Sequence, residues 1–132
     1  MLNRSDIIRI MSGLELDGSM YAIGFGAALV LHGVRRETRD IDISAKRGLI
    51  LKLKSAGCGY TELPDGRGKI EIGSEIEMYE TDALGPSVLI DGLPVLTLAE
   101  ILKAKAAKGR DKDLRDIELI EKYISEHKNG EI

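Results

Sequence analysis

The segment from Gly24 to Ser44 constrains the fold of this chain more than any other stretch, because a turn, a helix and a strand follow one another directly. Met20 to Ile23, just before it, is a short apolar run that reads as a strand, and the Gly24-Phe25-Gly26 step interrupts it. Ala27 to Leu31 is compact and favours a helix, which Gly33 should end. The segment therefore predicts a glycine turn that opens a helix between two strands.

The second of these strands carries two carboxylates on one face. Strict alternation places Ile41 and Ile43 on one side and Asp40 and Asp42 on the other. Carboxylates so close repel each other, and they need either solvent or a divalent cation between them. Mg²⁺ is usually held by such a pair together with substrate phosphates. Alone, the pair favours two solvated carboxylates on an edge strand, but the polar run 36–39 and the glycine-broken helix upstream favour metal binding.

This pattern resembles the nucleotidyltransferases of the DNA polymerase β superfamily, in particular the small AbiEii-like and minimal members. Those proteins have a Gly-Gly or Gly-Ser turn that opens a helix, a His-Gly or Tyr-Gly at its end, and then Arg-x-Thr-x-Asp-apolar-Asp. The residues that fall into this register are Gly26, Ala28, His32, Gly33, Arg36, Thr38, Asp40 and Asp42. One position departs from the pattern, because Phe25 stands where the family usually has glycine, with Gly24 before it.

The resemblance implies how a nucleoside triphosphate would bind. Amides at the helix N-terminus, around Gly24 and Gly26, would grip the phosphates, while Asp40 and Asp42 would hold Mg²⁺ or Mn²⁺ against their oxygens. Arg36 and Thr38 would belong to the nucleotide-binding set, although Arg36 could equally pin the loop. His32, at the helix end, is expected to be a capping or packing residue and not a base.

The resemblance also implies a third carboxylate, which would serve as a metal ligand and activate the attacking hydroxyl. Glu77 is our first choice, on a predicted strand over residues 75–79 where Ile76 and Met78 face the other way. Glu75 shares its face and is the alternative, and Glu71 is a weaker one. The plainer interpretation is that these glutamates solubilise an exposed sheet face. The family more often has aspartate at this position.

The closing helices contain a second motif, Lys105-x4-Arg110-x-Lys112-Asp113-x-x-Asp116, which closely resembles the family's closing pattern. Lys105, Arg110 and Lys112 could neutralise triphosphate charge while the two aspartates hold these cations in place. The alternative is an exposed helix with ion pairs at i,i+3 and i,i+4 spacing. We accept that alternative for two further lysines of this region, Lys103 and Lys108.

The whole pattern predicts an α/β (α+β) fold with a mixed, twisted sheet flanked by helices. The predicted strands lie over 20–23, 40–44 and 75–79, and two hairpins are predicted, one of 60–63 with 69–72 and one of 87–90 with 93–96 that turns at Asp91-Gly92. The first predicted helix is capped at Ser5-Asp6 and ends near Gly13, and two more lie over 27–31 and 48–56. A fourth helix runs from a capping box at Thr97-Glu100 to Gly109, and the last, capped by Asp111, covers 112–127. The residues after His127 are expected to be frayed.

Length and composition bound the remaining possibilities. With 132 residues, the chain is expected to form a single domain over 1–132, too short for separate catalytic and substrate domains. A net charge of −3 gives no general attraction to nucleic acid, so a polyanion must bind locally. No signal peptide or membrane span is evident, which predicts a cytoplasmic protein. The single cysteine, Cys58, rules out an intrachain disulfide.

The resemblance implies Mg²⁺-dependent transfer of a nucleoside monophosphate from an NTP to an acceptor hydroxyl. The resemblance makes RNA, a protein or a small molecule plausible acceptors, suggests a toxin–antitoxin role with an antitoxin partner, and leaves a homodimer open. Two alternatives stay open: a non-catalytic nucleotide- or protein-binding module of the same fold, and a phosphohydrolase that uses the same acids.

Overall fold

The computed structural model describes residues 1–127, within which the chain forms five helices and seven strands. The helices are α1 (Arg4–Leu14), α2 (Phe25–His32), α3 (Arg47–Ser55), α4 (Leu98–Lys108) and α5 (Asp111–Glu126). The strands are β1 (Tyr21–Gly24), β2 (Ile41–Ala45), β3 (Gly59–Glu62), β4 (Gly68–Ile72), β5 (Ile76–Glu80), β6 (Ser87–Ile90) and β7 (Leu93–Leu96). The tail after His127, which we expected to be frayed, lies outside the described residues. None of the helices within 1–127 has the length and apolar character needed to cross a membrane.

All seven strands join one sheet in the order β3-β4-β5-β2-β1-β7-β6. At its centre, β1 pairs antiparallel with β2, while β2 pairs parallel with β5 and β1 parallel with β7. The hairpins β3–β4 and β6–β7 form the two edges. The helices cover this sheet, with α2 packed on the central strands and α3 on β4 and β5. The predicted mixed sheet flanked by helices is therefore confirmed.

The apolar side of β2 decides which way its polar side chains point. Ile41, Ile43 and Ala45 are buried, while Asp42 and Ser44 between them are half-buried on the opposite face. Burial of a side chain the size of isoleucine contributes roughly 1.5–3 kcal/mol. A one-residue slip of β2 would expose both isoleucines, so the register of the strand is strongly specified. The core thus holds Asp42 on the face away from the buried isoleucines.

Two predicted helix caps were wrong by one or more residues. At α1 the cap is Asn3, and not Ser5 or Asp6. The Asn3 side chain accepts the Asp6 backbone N–H at 2.9 Å, and the Asp6 carboxylate accepts the Asn3 N–H at 3.0 Å. At α5 the cap is Arg110, whose backbone N–H is donated to the Asp113 carboxylate at 3.2 Å, so Asp111 is the first helical residue. At α1 the reciprocal bonds between Asn3 and Asp6 outweigh the predicted cap, whereas at α5 only one direction is present, from the Arg110 backbone N–H to the Asp113 carboxylate.

The Asp91-Gly92 turn between β6 and β7 was predicted correctly. Asp91 and Gly92 have φ values of 50° and 79°. Two successive positive φ angles are the signature of the type I′ turn, whose twist matches that of the strands it joins. Half of the capping box predicted for α4 is present: the Thr97 hydroxyl accepts the Glu100 backbone N–H at 3.1 Å, but the Thr97 N–H donates to the Pro86 carbonyl at 3.1 Å and not to the Glu100 side chain.

His32 closes α2 against the sheet. Its Nε2 donates to the Leu96 carbonyl of β7 at 2.8 Å, and burial lowers its pKa. A neutral ring that bonds a backbone carbonyl is a packing residue, in agreement with the expectation from its place at a helix end.

Candidate active site

A cleft of about 480 Å³ opens where the N-terminus of α2, the strands β2 and β5, and the junction of α4 and α5 meet. The acidic residues that line it are Asp40, Asp42, Glu77 and Asp116. The basic residues that line it are Lys105, Lys108, Arg110 and Lys112. Phe25, Gly26, Ile43, Ser44 and Tyr79 complete the lining. The cleft therefore brings carboxylates of the sheet close to cations of the α4–α5 region. We call these four cations, Lys105, Lys108, Arg110 and Lys112, the basic group.

The carboxylates come together through the parallel pairing of β2 with β5. Asp42 is the register partner of Glu77, and Asp40 lies at the entrance of β2. Burial, followed by the negative charges of Glu77 and Asp40, raises the pKa of Asp42. A divalent cation would relieve this repulsion, and carboxylate oxygens are the hard ligands that Mg²⁺ prefers. The donor chemistry around Asp40 and Asp42 therefore fits Mg²⁺.

Glu77 is engaged by its own neighbours on the sheet. Its Oε2 accepts a hydrogen bond from the Tyr79 hydroxyl at 2.6 Å and lies 3.8 Å from the Lys69 ammonium. The hydrogen bond to Glu77 also raises the pKa of Tyr79, so the phenol keeps its proton. Across residues 1–127, no three acidic, histidine or cysteine side chains converge closely enough to hold a cation. Within residues 1–127 the predicted three-carboxylate set is thus not assembled, and one oxygen of Glu77 is engaged by Tyr79 and Lys69.

The α4–α5 junction is held by buried ion pairs. The Lys105 ammonium, 8% exposed, lies 2.7 Å from Asp116 and 3.7 Å from Asp113. The Arg110 guanidinium donates two hydrogen bonds to Asp113, at 2.6 and 3.2 Å. These bonds lower the pKa of Asp113 to about 2. The two aspartates therefore hold Lys105 and Arg110 at the cleft.

Two lysines of α4 lie over the ring of Phe25. The Lys108 ammonium is 4.8 Å from the ring centroid and the Lys105 ammonium 5.6 Å, both within the range of cation–π attraction. Lys108 is otherwise exposed, as is Lys112. These two lysines and Arg110 are the exposed members of the basic group, whereas Lys105 is buried. Sequence reasoning missed Lys108, because its partner is an aromatic ring from the other half of the chain.

The turn before α2 is tighter than the sequence indicates, because the helix begins at Phe25 itself with Gly24 as its cap. Phe25 has φ of 48°, a left-handed conformation that costs a residue with Cβ about 1–2 kcal/mol. Its ring is half-buried and faces the cleft. Strain of this kind persists only where the surrounding structure enforces it. Phe25, which departs from the pattern of the family that the sequence resembles, is thus also a strained residue.

Gly26 lines the cleft but is also packed from behind. A Cβ on Gly26 would overlap the Thr38 hydroxyl, and the Arg35 guanidinium lies 3.4 Å from the same position. Thr38 is buried and exchanges two backbone hydrogen bonds with Leu2, at 2.6 and 2.9 Å. Gly26 is therefore required by the packing of Thr38, whether or not a phosphate approaches it.

The cleft brings together seven of the residues that sequence reasoning proposed for the site: Gly26, Asp40, Asp42, Glu77, Lys105, Arg110 and Lys112. Three others do not line it. Gly24 is buried against Leu96, Thr38 lies beneath Gly26, and Arg36 is exposed elsewhere. Glu75 precedes β5 and Glu71 faces Glu77 from β4, both outside the cleft lining. Tyr79 and Ser44, like Lys108, were not proposed.

The same architecture occurs in a protein from Thermotoga maritima that is described as a proposed nucleotidyltransferase. The two structures align with a TM-score of 0.61 over 96% of this chain and 97% of that one, with 17% sequence identity. The chain therefore has a nucleotidyltransferase-like fold. No protein-family model and no curated protein sequence matches the chain.

Proposed function

We propose that this chain is a Mg²⁺-dependent nucleotidyltransferase, of the small AbiEii-like or minimal type, that moves a nucleoside monophosphate from an NTP to an acceptor hydroxyl. The observation that carries the proposal is the register of Asp42 against Glu77, with Asp40 beside them, in a cleft that also receives the basic group. Opposed carboxylates and a cluster of cations in one cleft suit a ligand that is both a polyanion and a metal chelator. A nucleoside triphosphate has both properties.

The basic group would bind the triphosphate. Lys108 and Lys112 are accessible to its oxygens, and Arg110 retains free guanidinium donors beyond those given to Asp113. The unpaired amides at the start of α2 point a partial positive charge toward the same ligand. Lys105, buried between two aspartates, would act by keeping the α4–α5 junction in place.

The carboxylates would act near the α-phosphorus of the nucleotide, where the reaction takes place. Asp40 and Asp42 would hold Mg²⁺, which supplies charge neutralisation on the phosphate oxygens when bound. Glu77 would orient the acceptor hydroxyl and take its proton. The acceptor oxygen forms a bond to the α-phosphorus, the bond from that phosphorus to the bridging oxygen breaks, and pyrophosphate leaves.

A non-catalytic nucleotide- or protein-binding module of the same fold is the second candidate. It is favoured by Glu77 being bound to Tyr79 and Lys69, and by the strained Phe25 at the turn that would receive the phosphates. Such a protein would bind NTP through the basic group without turning it over. A phosphohydrolase that uses the same acids is a third and weaker candidate.

For the acceptor we propose RNA, a protein or a small molecule that presents a hydroxyl to the cleft. We also propose a toxin–antitoxin role with an antitoxin partner. We place the protein in the cytoplasm, where NTP is supplied. A homodimer is compatible with it.

The test is incubation of the protein with Mg²⁺, α-labelled NTPs and cell extract. We expect label to join a macromolecule with the wild type and not with Asp42→Asn. Asp65→Asn, at an exposed turn outside the cleft, is the matched control and should behave as wild type. With the purified protein and no extract, free phosphate from a γ-labelled NTP would indicate a hydrolase, and tight binding without turnover in either assay would indicate the binding module.

A further inference from the structure

Tyr79 lies in the cleft in a position that the proposed reaction leaves unexplained. It follows Glu77 by two residues on β5, so both side chains lie on the same face of the strand. Its register partner on β2 is Ser44, one step along the cleft from the Asp42–Glu77 pair. The side chain is 36% exposed and lines the cleft together with the carboxylates and the basic group.

The hydrogen bond between Tyr79 and Glu77 has the geometry required of a base and its substrate. A general base must lie within about 2.6–3.2 Å of the oxygen whose proton it takes. The Tyr79 hydroxyl donates to the Glu77 carboxylate at 2.6 Å. The Tyr79 hydroxyl therefore already occupies the position beside Glu77 that an acceptor hydroxyl from another molecule would take.

We propose that Tyr79 is itself an acceptor, and that the chain transfers a nucleoside monophosphate from an NTP onto the Tyr79 hydroxyl. The Tyr79 oxygen bonds to the α-phosphorus, the bond from that phosphorus to the bridging oxygen breaks, and pyrophosphate leaves. The phenolic proton passes to the Glu77 carboxylate. The product is a phosphodiester on Tyr79, and NTP is the one co-reactant. This inference rests on the proposed function, because it uses the same nucleotide and the same base.

The other three tyrosines are placed differently. Tyr21 is buried on β1. Tyr60, on β3, lies under the Lys54 ammonium at 4.1 Å, outside the cleft lining. Tyr123, on α5, stacks on His127 with ring centroids 4.0 Å apart. Modification should therefore be confined to Tyr79, and because the attached nucleotide occupies the cleft, it should stop at one nucleotide per chain.

The experiment is intact-mass measurement after incubation of the purified protein with ATP, or each other NTP, and Mg²⁺. We expect the mass to rise by one nucleoside monophosphate, and peptide fragmentation to place it on Tyr79. Tyr79→Phe should abolish the added mass, because it removes only the hydroxyl. Tyr60→Phe is the matched control and should be modified like the wild type. The modified chain, once isolated, should lose affinity for a non-hydrolysable NTP analogue in calorimetry.

The outcomes separate this inference from the proposed function. If wild type and Tyr79→Phe bind the analogue equally and both label a macromolecule in extract, but neither gains mass, the inference is wrong and the proposed function stands. Added mass on Ser44, or persistence of the added mass in Tyr79→Phe, would also overturn it. If the wild type binds no nucleotide at all, both proposals fail.

Discussion

Asp42 and Glu77 lie opposite each other on adjacent parallel strands, and the pKa of Asp42 is raised by burial and by the charges of Glu77 and Asp40. The candidate site is therefore a point where the folded chain holds negative charge against repulsion. Without a cation, the repulsion between the two carboxylates lowers the free energy of unfolding, and the binding of a cation raises it again.

Asp42→Asn should stabilise the metal-free protein while removing its response to metal. Losing a directly opposed like charge should add roughly 0.5 kcal/mol to the free energy of unfolding, on the scale of cross-strand pairs. With Mg²⁺ and a non-hydrolysable NTP at a hundred times the dissociation constant, the wild type should gain about 2.7 kcal/mol and Asp42→Asn much less. Urea denaturation measures both, and Asp65→Asn serves as the control. Equal responses in wild type and Asp42→Asn would show that the nucleotide–metal complex binds elsewhere.

The same pair gives a pH dependence with a definite sign. Because folding raises the pKa of Asp42, protonation favours the folded state. The stability gap between Asp42→Asn and the metal-free wild type should thus be complete near neutral pH, and it should close as the pH falls through the raised folded pKa to the unfolded value of 3.8. A gap that widens in acid would contradict the assignment.

The contribution of Asp113 to stability should depend on pH in the opposite direction. Its pKa falls from 3.8 to about 2 because Arg110 hydrogen-bonds the ionised form. The stability it contributes is present above pH 3.8 and is lost as the pH falls toward about 2. Asp113→Asn should therefore lower the melting temperature at neutral pH, and its difference from wild type should shrink in that acid window. Asp111→Asn, exposed in the same helical turn, is the control. Calorimetry across this range makes the measurement.

At position 25, glycine should give a more stable protein than alanine, which is the reverse of their usual order within a helix. Both Phe25→Ala and Phe25→Gly lose the ring beneath Lys105 and Lys108, but only glycine relieves the positive φ. Phe25→Gly should be more stable than Phe25→Ala by about 1 kcal/mol. The control is Ala107→Gly within α4, which should lose about 1 kcal/mol. Denaturation midpoints decide the order, and a more stable Phe25→Ala would mean that the strain is absent.

Gly26 and Thr38 should be energetically coupled. Gly26→Ala forces a Cβ into the Thr38 hydroxyl and should cost about 1–3 kcal/mol of stability. The double variant Gly26→Ala, Thr38→Ala should recover part of that loss, which a double-mutant cycle measures. If the turn also cradles phosphate, the double variant should still bind NTP about 1–3 kcal/mol more weakly than Thr38→Ala alone. Unchanged NTP affinity in the double variant would favour the non-catalytic module.

Lys108 and Lys103 test which lysines of α4 meet the nucleotide. Lys108 lines the cleft over Phe25, whereas Lys103 is exposed outside the cleft lining. Lys108→Ala should weaken NTP binding about tenfold, the scale of one charge-assisted hydrogen bond, while Lys103→Ala should leave it unchanged. Isothermal calorimetry at fixed ionic strength makes the comparison. Equal losses in both variants would indicate a general charge effect.

The parts of the site that follow from local patterns could be predicted from the sequence. Alternation alone places Asp40 and Asp42 on one face, and the spacing from Lys105 to Asp116 brings those residues to one helix junction. Lys108 and Tyr79 could not be found in this way, since their roles depend on which distant element packs over them and on a side-chain rotamer. The missed cap of α1 is different, because Asn3 and its reciprocal partner Asp6 are only three residues apart, and this local spacing could have indicated the cap.

The parallel pairing of β2 with β5 has a consequence for how the protein folds. The chain forms α3 and the whole β3–β4 hairpin between these two strands. Contacts between residues so distant in sequence carry a large loop-closure cost and tend to form late and slowly. The strand that carries Asp42 and the helix α2 before it are close in sequence, whereas Glu77 reaches its partner only when the long-range pairing of β2 with β5 forms. The complete acidic site therefore depends on this pairing, and we expect nucleotidyl transfer, which would need Glu77 as well as Asp40 and Asp42, to recover in step with the slowest phase of refolding and not before it.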